Sequence, residues 1–225
     1  MLSPILEGTG LRRSYQVGDS QIIVIDELDI AIRPQEITAV VGPSGTGKST
    51  LLYLLSGLEE PERGQVLFEG QDIYKLSDEK RSDLRASTFG FIFQSFNLIS
   101  TMSALENVEI PLRLTNARQP EQRAKEMLDR VGLSQRLHHR PGQLSGGEQQ
   151  RVCIARALSL NPRVIFADEP TGNLDARTGS EIMGLITSLV REQGAACLLV
   201  THNTEWAELA DRVIHLRQSG KETSA

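Results

Sequence analysis

The chain has 225 residues, 39% of them hydrophobic, enough to bury a proper core, and one domain with a subdomain is the expected organisation. Its 24 basic against 29 acidic residues give a net charge of −5, so it lacks the basic field that neutralises nucleic-acid phosphates, and DNA and RNA are poor first partners. No uninterrupted apolar stretch approaches the roughly 18 residues of a membrane span, and the first residues lack the basic and apolar regions of a signal peptide. A cytosolic protein that reaches a membrane only through a partner is expected.

Up to about Glu69 the sequence is rich in short β-type runs broken by turn residues, among them Ile22-Ile23-Val24-Ile25 and Ile37-Thr38-Ala39-Val40-Val41. The second run leads into Gly42-Pro43-Ser44-Gly45-Thr46-Gly47-Lys48-Ser49-Thr50, a Gly-x-x-x-x-Gly-Lys-Ser loop between a predicted strand and a predicted helix. Glycines there let backbone N–H groups turn toward phosphates, and the positive end of the helix opened by Lys48 favours them further. Lys48 is expected to pair with the β- and γ-phosphates of a nucleotide and the Ser49 hydroxyl to coordinate Mg²⁺. A chance glycine-rich turn before a helix would match this pattern and this context only rarely.

Further on, Ala124, Met127, Leu128 and Val131 recur at i, i+3, i+4 and i+7, one apolar face of a helix over Glu121 to Val131. The run Leu144-Ser145-Gly146-Gly147-Glu148-Gln149-Gln150-Arg151 contains a capping box, Ser145 with Glu148 three residues on, so Ser145 is expected to start a helix running through Ala157. Taken blandly, this is an ordinary capped helix. Paired glycines are costly there, about 1 kcal/mol each in a helix, and point instead to close approach of a phosphate held by another chain's loop. Val164-Ile165-Phe166-Ala167 then reads as a buried parallel strand ending in Asp168-Glu169-Pro170, where α/β proteins bind ligands. Asp168 suits coordination of Mg²⁺. Glu169 suits polarisation of a water that attacks the γ-phosphate, a role worth about 10²–10⁴-fold in rate.

Ile182, Leu185, Ile186, Leu189 and Val190 form a further apolar helix face ahead of the strand-like Cys197-Leu198-Leu199-Val200. Strand and helix alternate around the loop, predicting a mainly parallel sheet with an inserted helical segment near residues 95–160. Cys153 and Cys197 lie in apolar surroundings without metal-ligand spacing, and packing is the expected role of both. The polar tail after Leu216 is too short for an added regulatory domain.

The loop, the Ser145 run and the acidic strand end together resemble the nucleotide-binding subunit of ATP-binding cassette (ABC) transporters, over nearly the whole chain. The resemblance implies an α/β fold: a P-loop NTPase core, an N-terminal antiparallel β-subdomain and an inserted α-helical subdomain. It implies one ATPase domain over 1–225, with about 1–94 and 160–225 as core and about 95–160 as the helical part carrying the signature run. Gln94, in Phe93-Gln94-Ser95-Phe96-Asn97-Leu98, resembles the family's glutamine loop, implying a ligand of Mg²⁺ and a sensor of the transmembrane partner. Asp175, in Asn173-Leu174-Asp175, resembles the aspartate loop across the dimer interface. Thr201-His202 resembles the histidine switch that contacts the γ-phosphate. Tyr15 falls where the family has an aromatic ring that stacks on adenine, worth ~1–3 kcal/mol by analogy with base stacking.

Expected catalytic residues are therefore Glu169, His202, Lys48 and Gln94. Nucleotide contacts are expected from Tyr15, Gly42 through Thr50, Ser145, Gly146, Gly147, Glu148 and Asp175. Ser49, Gln94 and Asp168 are the expected Mg²⁺ ligands. The resemblance further implies a homodimer that closes around two ATP–Mg²⁺, integral membrane permease subunits as partners, no nucleic acid, and a place at the cytoplasmic face of the cell membrane. Within the family, Leu105-Glu106-Asn107-Val108-Glu109-Ile110-Pro111-Leu112 and Ala167 to Asp175 look like the lipoprotein-release, macrolide-export and haem-export group, which also includes a cell-division ATPase that moves no solute. Soluble ABC ATPases of translation, DNA repair or cofactor assembly stay open as an alternative, although the translation type resembles two cassettes in one chain and the repair types carry coiled-coil or zinc insertions, neither of which is seen here. Three positions depart from the pattern. Gln35 stands where a glycine closes the turn before the strand, so a different or strained turn is expected. Asn203 replaces a common acidic residue, and Thr46 a common serine.

Overall fold

In a computed structural model describing residues 3–216 and 222–223, the chain begins with two long strands, β1 (Leu6–Val17) and β2 (Ser20–Ile32). They pair antiparallel from Leu6 opposite Ile32 to Val17 opposite Ser20. Between Leu11 and Arg13 the register slips by one residue, and Glu27, on the facing strand, takes a left-handed φ of 46°. Such a bulge bends the strand and lets Ile25, Leu28, Ile30 and Ile32 all reach the interior. Later, β4 (Arg63–Phe68) joins the free edge of β1 and β5 (Gln71–Asp72) joins β4, giving an antiparallel sheet of order β2-β1-β4-β5.

Between these lies β3 (Ile37–Val41), buried at every residue, as a strand covered on both faces must be. Its neighbours are parallel: the wholly buried β8 (Ala196–Thr201) on one side and β9 (Arg212–Leu216) on the other. β10 (Glu222–Thr223) adds antiparallel to β9, and the rest of the polar tail lies outside the described residues. Helix α1 (Lys48–Leu55) follows β3 with Leu51, Leu52, Leu54 and Leu55 fully buried, and the acidic and basic helix α2 (Asp78–Thr88) follows β5. The short helix α7 (Thr204–Ala207) closes over a small cluster of Ala39, Val41 and Ala207. Ahead of β3, Gln35 has φ 59°, so the turn keeps a glycine-type left-handed conformation and is of the strained kind of the two expected. These elements, up to residue 85 in α2 and again from residue 196, form one compact unit among the described residues.

Residues 86–195 form the other. Here β6 (Phe89–Phe93) and β7 (Val164–Asp168) run parallel, locked by aromatic contacts: Phe91 stacks 5.5 Å from Phe166, and Phe89 meets Phe166 edge-on at 5.2 Å. Helices α3 (Ala104–Leu114), α4 (Pro120–Arg130) and α5 (Gly146–Leu158) pack on one another, and α6 (Ala176–Gln193) packs on α5. The helix expected from Ser145 to Ala157 is thus present, one residue longer. The apolar faces read at Glu121 to Val131 and Ile182 to Val190 bury Ala124, Met127 and Leu128, and Ile182, Ile186, Leu189 and Val190. Cys153 and Cys197 are free and buried; burial pushes the Cys153 thiol up and that of Cys197 to about 12, so both stay protonated packing groups.

Candidate functional site

In the first unit, Val41 of β3 stands opposite Thr201 of β8, so the loop Gly42 to Thr50 and the dipeptide Thr201-His202 leave the parallel strands side by side at their carboxyl ends. Gly47 has φ 94°, and a Cβ there would lie 2.6 Å from Val24 Cγ1. Only glycine can turn the chain into α1 at that point. As the residue before α1, Gly47 supplies no side-chain cap, and the first turn holds no acidic residue. A helix start without an acidic side chain favours an anion.

Lys48 is buried, and its Nζ donates to the carbonyls of Gly42 (2.8 Å) and Pro43 (3.0 Å), which centres the cation within the loop. Thr46 donates its hydroxyl to Pro43 O at 2.9 Å and tightens the same turn; threonine serves here as serine would. Ser44 and Gly45 are exposed at the crest, while Ser49 and Thr50 are half-buried at the start of α1. The Tyr15 hydroxyl lies 3.5 Å from Thr50 Oγ1 and donates to Glu59 Oε2 at 2.7 Å. The Arg13 guanidinium sits 5.2 Å over the Tyr15 ring, so a stacking base would use the other face or displace it. His202 is exposed just past β8. Asn203 begins α7 by accepting the Glu205 N–H at 2.8 Å, a local use for the residue that replaces an acid.

In the second unit, Phe93 of β6 pairs with Asp168 of β7, so Gln94 and Glu169 continue from adjacent strand ends. Asp168 is only 8% exposed. Glu169 takes φ 45°, a conformation costly for a side-chain-bearing residue, and its carbonyl accepts the Gly172 N–H at 3.0 Å. Gln94 donates its side-chain amide to Asn173 Oδ1 (3.1 Å), and Asn173 returns its own to the Gln94 carbonyl (3.0 Å). Asp175 starts α6 by accepting the Thr178 N–H at 3.0 Å; its bonds to the Thr178 side chain and backbone hold its carboxyl below the usual range.

At the Ser145 end of α5 a capping box satisfies two N–H groups from within. Ser145 Oγ accepts the Glu148 N–H at 3.3 Å, and Glu148 Oε2 accepts the Ser145 N–H at 2.8 Å. That N–H and the Arg136 guanidinium keep the Glu148 carboxyl below its ordinary range. A Cβ on Gly147 would lie 2.7 Å from Thr178 Cγ2, and one on Gly146 3.3 Å from Leu174 Cδ2. Glycine at 147 is therefore demanded by the packing of α5 against α6, so the glycine pair does not by itself argue for a phosphate.

Sequence reasoning gave no role to three side chains that organise this unit: Asn173, Gln150 and Arg156. Gln150 donates to the Pro170 carbonyl at 2.6 Å, and Arg156 to those of Phe96 (2.8 Å) and Asn97 (2.6 Å), two residues with φ 59° and 51°. All three act on backbone carbonyls or amides across long sequence gaps. No local pattern announces such contacts.

A family model described as "ABC transporter" matches residues 25–172. The ATP-binding protein LolD 2 of a lipoprotein-releasing system from Caulobacter vibrioides is 44% identical over 219 residues, covering 96% of both chains. The macrolide export ATP-binding/permease protein MacB of Wolinella succinogenes is 46% identical over 96% of this chain, which spans 34% of that longer protein. Among solved structures, the dimeric ATP-binding cassette MJ0796, in a post-hydrolysis state bound to ADP and Pi, superposes with a TM-score of 0.88 at 37% identity, covering 97% of this chain and 98% of the other.

Proposed function

The chain belongs to the ABC transporter family, and we propose that it is the ATP-binding and ATP-hydrolysing subunit of an exporter or mechanotransmitter of the lipoprotein-release or macrolide-export type. The observation that carries this reading is likeness along 97% of the chain to a dimeric cassette holding ADP and Pi. We assign 1–225 to one ATPase domain, with about 95–160 as its helical part carrying the signature run.

Lys48 binds the β- and γ-phosphates together with the helix end behind Gly47. Tyr15 stacks on adenine. Glu169 takes the proton of the attacking water, and His202 contacts the γ-phosphate. Ser145 and Gly147 of a second copy complete each nucleotide site, with Glu148 holding Ser145 in its cap and Asp175 at the interface. Mg²⁺ fits the donor set, a hydroxyl on Ser49, an amide on Gln94 and the nearly buried Asp168 carboxylate, all oxygen donors of the hard kind. Gln94 spends its amide nitrogen on Asn173, so its oxygen is the atom that would face the cation. When bound, Mg²⁺ neutralises charge that develops on the phosphate oxygens.

Among the described residues no helix is long and apolar enough to cross a membrane. Work at a membrane thus requires permease subunits, with this chain on their cytoplasmic face and Gln94 with the segment from Phe96 to Leu112 passing on the motion.

The test is Glu169→Gln, tagged and expressed in the native host. Turnover falls by about 10²–10⁴-fold while ATP binding persists and an ATP-bound dimer accumulates. Gentle solubilisation with ATP should recover a permease with it. Turnover at the native rate would remove Glu169 from its role. Recovery only of soluble ribosomal, repair or assembly proteins would leave the ATPase chemistry standing and overturn the membrane reading.

A further inference from the structure

Gln150 stands one turn inside α5, wholly buried, 0% exposed. Its Nε2 donates to the Pro170 carbonyl at 2.6 Å, while its Oε1 meets no hydrogen-bond donor among the described residues. A carbonyl only accepts, so this amide must present its nitrogen to Pro170, and its oxygen goes unsatisfied as a consequence. An apolar side chain would avoid that penalty. The bond to Pro170 is what the polar group provides.

Pro170 follows Glu169, the proposed general base. Glu169 holds φ 45° although it bears a side chain and precedes a proline, whose ring further restricts the residue before it. A conformation opposed on both counts persists only where its surroundings over-determine it. Two bonds bracket it here: Gly172 N–H to the Glu169 carbonyl at 3.0 Å, and Gln150 to the next carbonyl along. Farther on, the Gln94–Asn173 amide pair fixes the same turn from β6.

We propose that Gln150 is a positioning residue for Glu169: its buried amide fixes the Pro170 peptide, and with it the strained backbone that aims the Glu169 carboxylate at the attacking water. Gln150 also lies five residues beyond Ser145 on one rigid helix. A displacement at the capped end of α5 is thereby passed to the base through a single side chain. This inference rests on the reading of Glu169 as the base.

The test is a cycle of Gln150→Met and Glu169→Gln, read by ATP affinity, steady-state kcat and single-turnover release of labelled phosphate. Methionine matches the shape of glutamine and cannot donate. Gln150→Met should lower kcat about tenfold or more, the equivalent of one hydrogen bond, with ATP affinity kept within about twofold, far less than the loss of a phosphate contact. In the Glu169→Gln background the further substitution should change the residual rate little, because no carboxylate remains to be aimed. A native kcat in Gln150→Met overturns the proposal, as does the same fractional loss in both backgrounds, which would mark a role in the fold at large. Should the methionine variant fail to fold, Gln150→Asn, which keeps the amide but is one methylene short of Pro170, carries the same expectations. Native turnover in Glu169→Gln alone refutes the base, and this inference with it; loss there with an unaffected Gln150→Met refutes positioning only.

Discussion

The loop Gly42 to Thr50 and the run Ser145 to Arg151 share a grammar, glycines at the start of a helix, yet they end in opposite states. At the first, Gly47 lacks a capping side chain, no acid sits in the opening turn of α1, and a lysine is buried within the loop. At the second, Ser145 and Glu148 cap each other, and a carboxylate occupies the place an anion would take. One helix end has neither a capping side chain nor an acid in its first turn, and the other has both. A loop of the first kind can hold a nucleotide in a single chain. An end of the second kind offers a rigid, self-contained surface to a nucleotide held elsewhere.

The largest test of that difference pairs Lys48→Ala with Ser145→Arg. Losing charge-assisted hydrogen bonds to phosphate should weaken ATP binding by the isolated chain by about 10–100-fold, from the 1.5–3 kcal/mol of such bonds. Ser145→Arg should leave that affinity unchanged and abolish hydrolysis, measured by nucleotide titration and phosphate release. Loss of binding by the isolated chain in the arginine variant would make the two helix ends alike and break the comparison.

A smaller effect concerns why glycine stands at 147. Gly147→Ala should destabilise by about 1–3 kcal/mol through overpacking against Thr178 Cγ2. Adding Thr178→Ser removes that methyl and should return most of the melting temperature. No rescue would mean that the helix-to-helix contact is not the reason for the glycine.

The smallest concerns Glu148, whose carboxyl is held low by the Ser145 N–H and Arg136. A carboxyl lowered in the folded state stabilises fully above its unfolded pKa, and that contribution disappears as pH falls through the lowered value. Glu148→Gln should therefore melt slightly below the parent at neutral pH, by less than about 1 kcal/mol for so accessible a group. The gap should close in acid, below the ordinary carboxylate range. A gap independent of pH would show that shape, rather than charge, matters at this cap.

Local chemistry made much of the molecule legible in the sequence. The β-type run Ile37 to Val41 and the apolar runs Val164 to Ala167 and Cys197 to Val200 are parallel strands, and the helix faces at Ala124 and Ile182 are buried. The Ser145 capping box and a strained turn at Gln35 were legible because their causes lie within four residues; that the turn is left-handed came from the structure. Candidate residues could likewise be named, since a phosphate loop and an acid after a buried strand are short patterns with a fixed chemistry.

What only the tertiary structure decided are contacts between residues far apart in sequence. Gln150 reaches Pro170, Arg156 reaches Phe96 and Asn97, Gln94 exchanges amides with Asn173, and Gly147 yields room to Thr178. Backbone periodicity and capping are set by neighbours along the chain, and so they are written in composition and spacing. The bond from Gln150 to Pro170 depends on where α5 and the turn after β7 come to lie, which no short window of sequence contains.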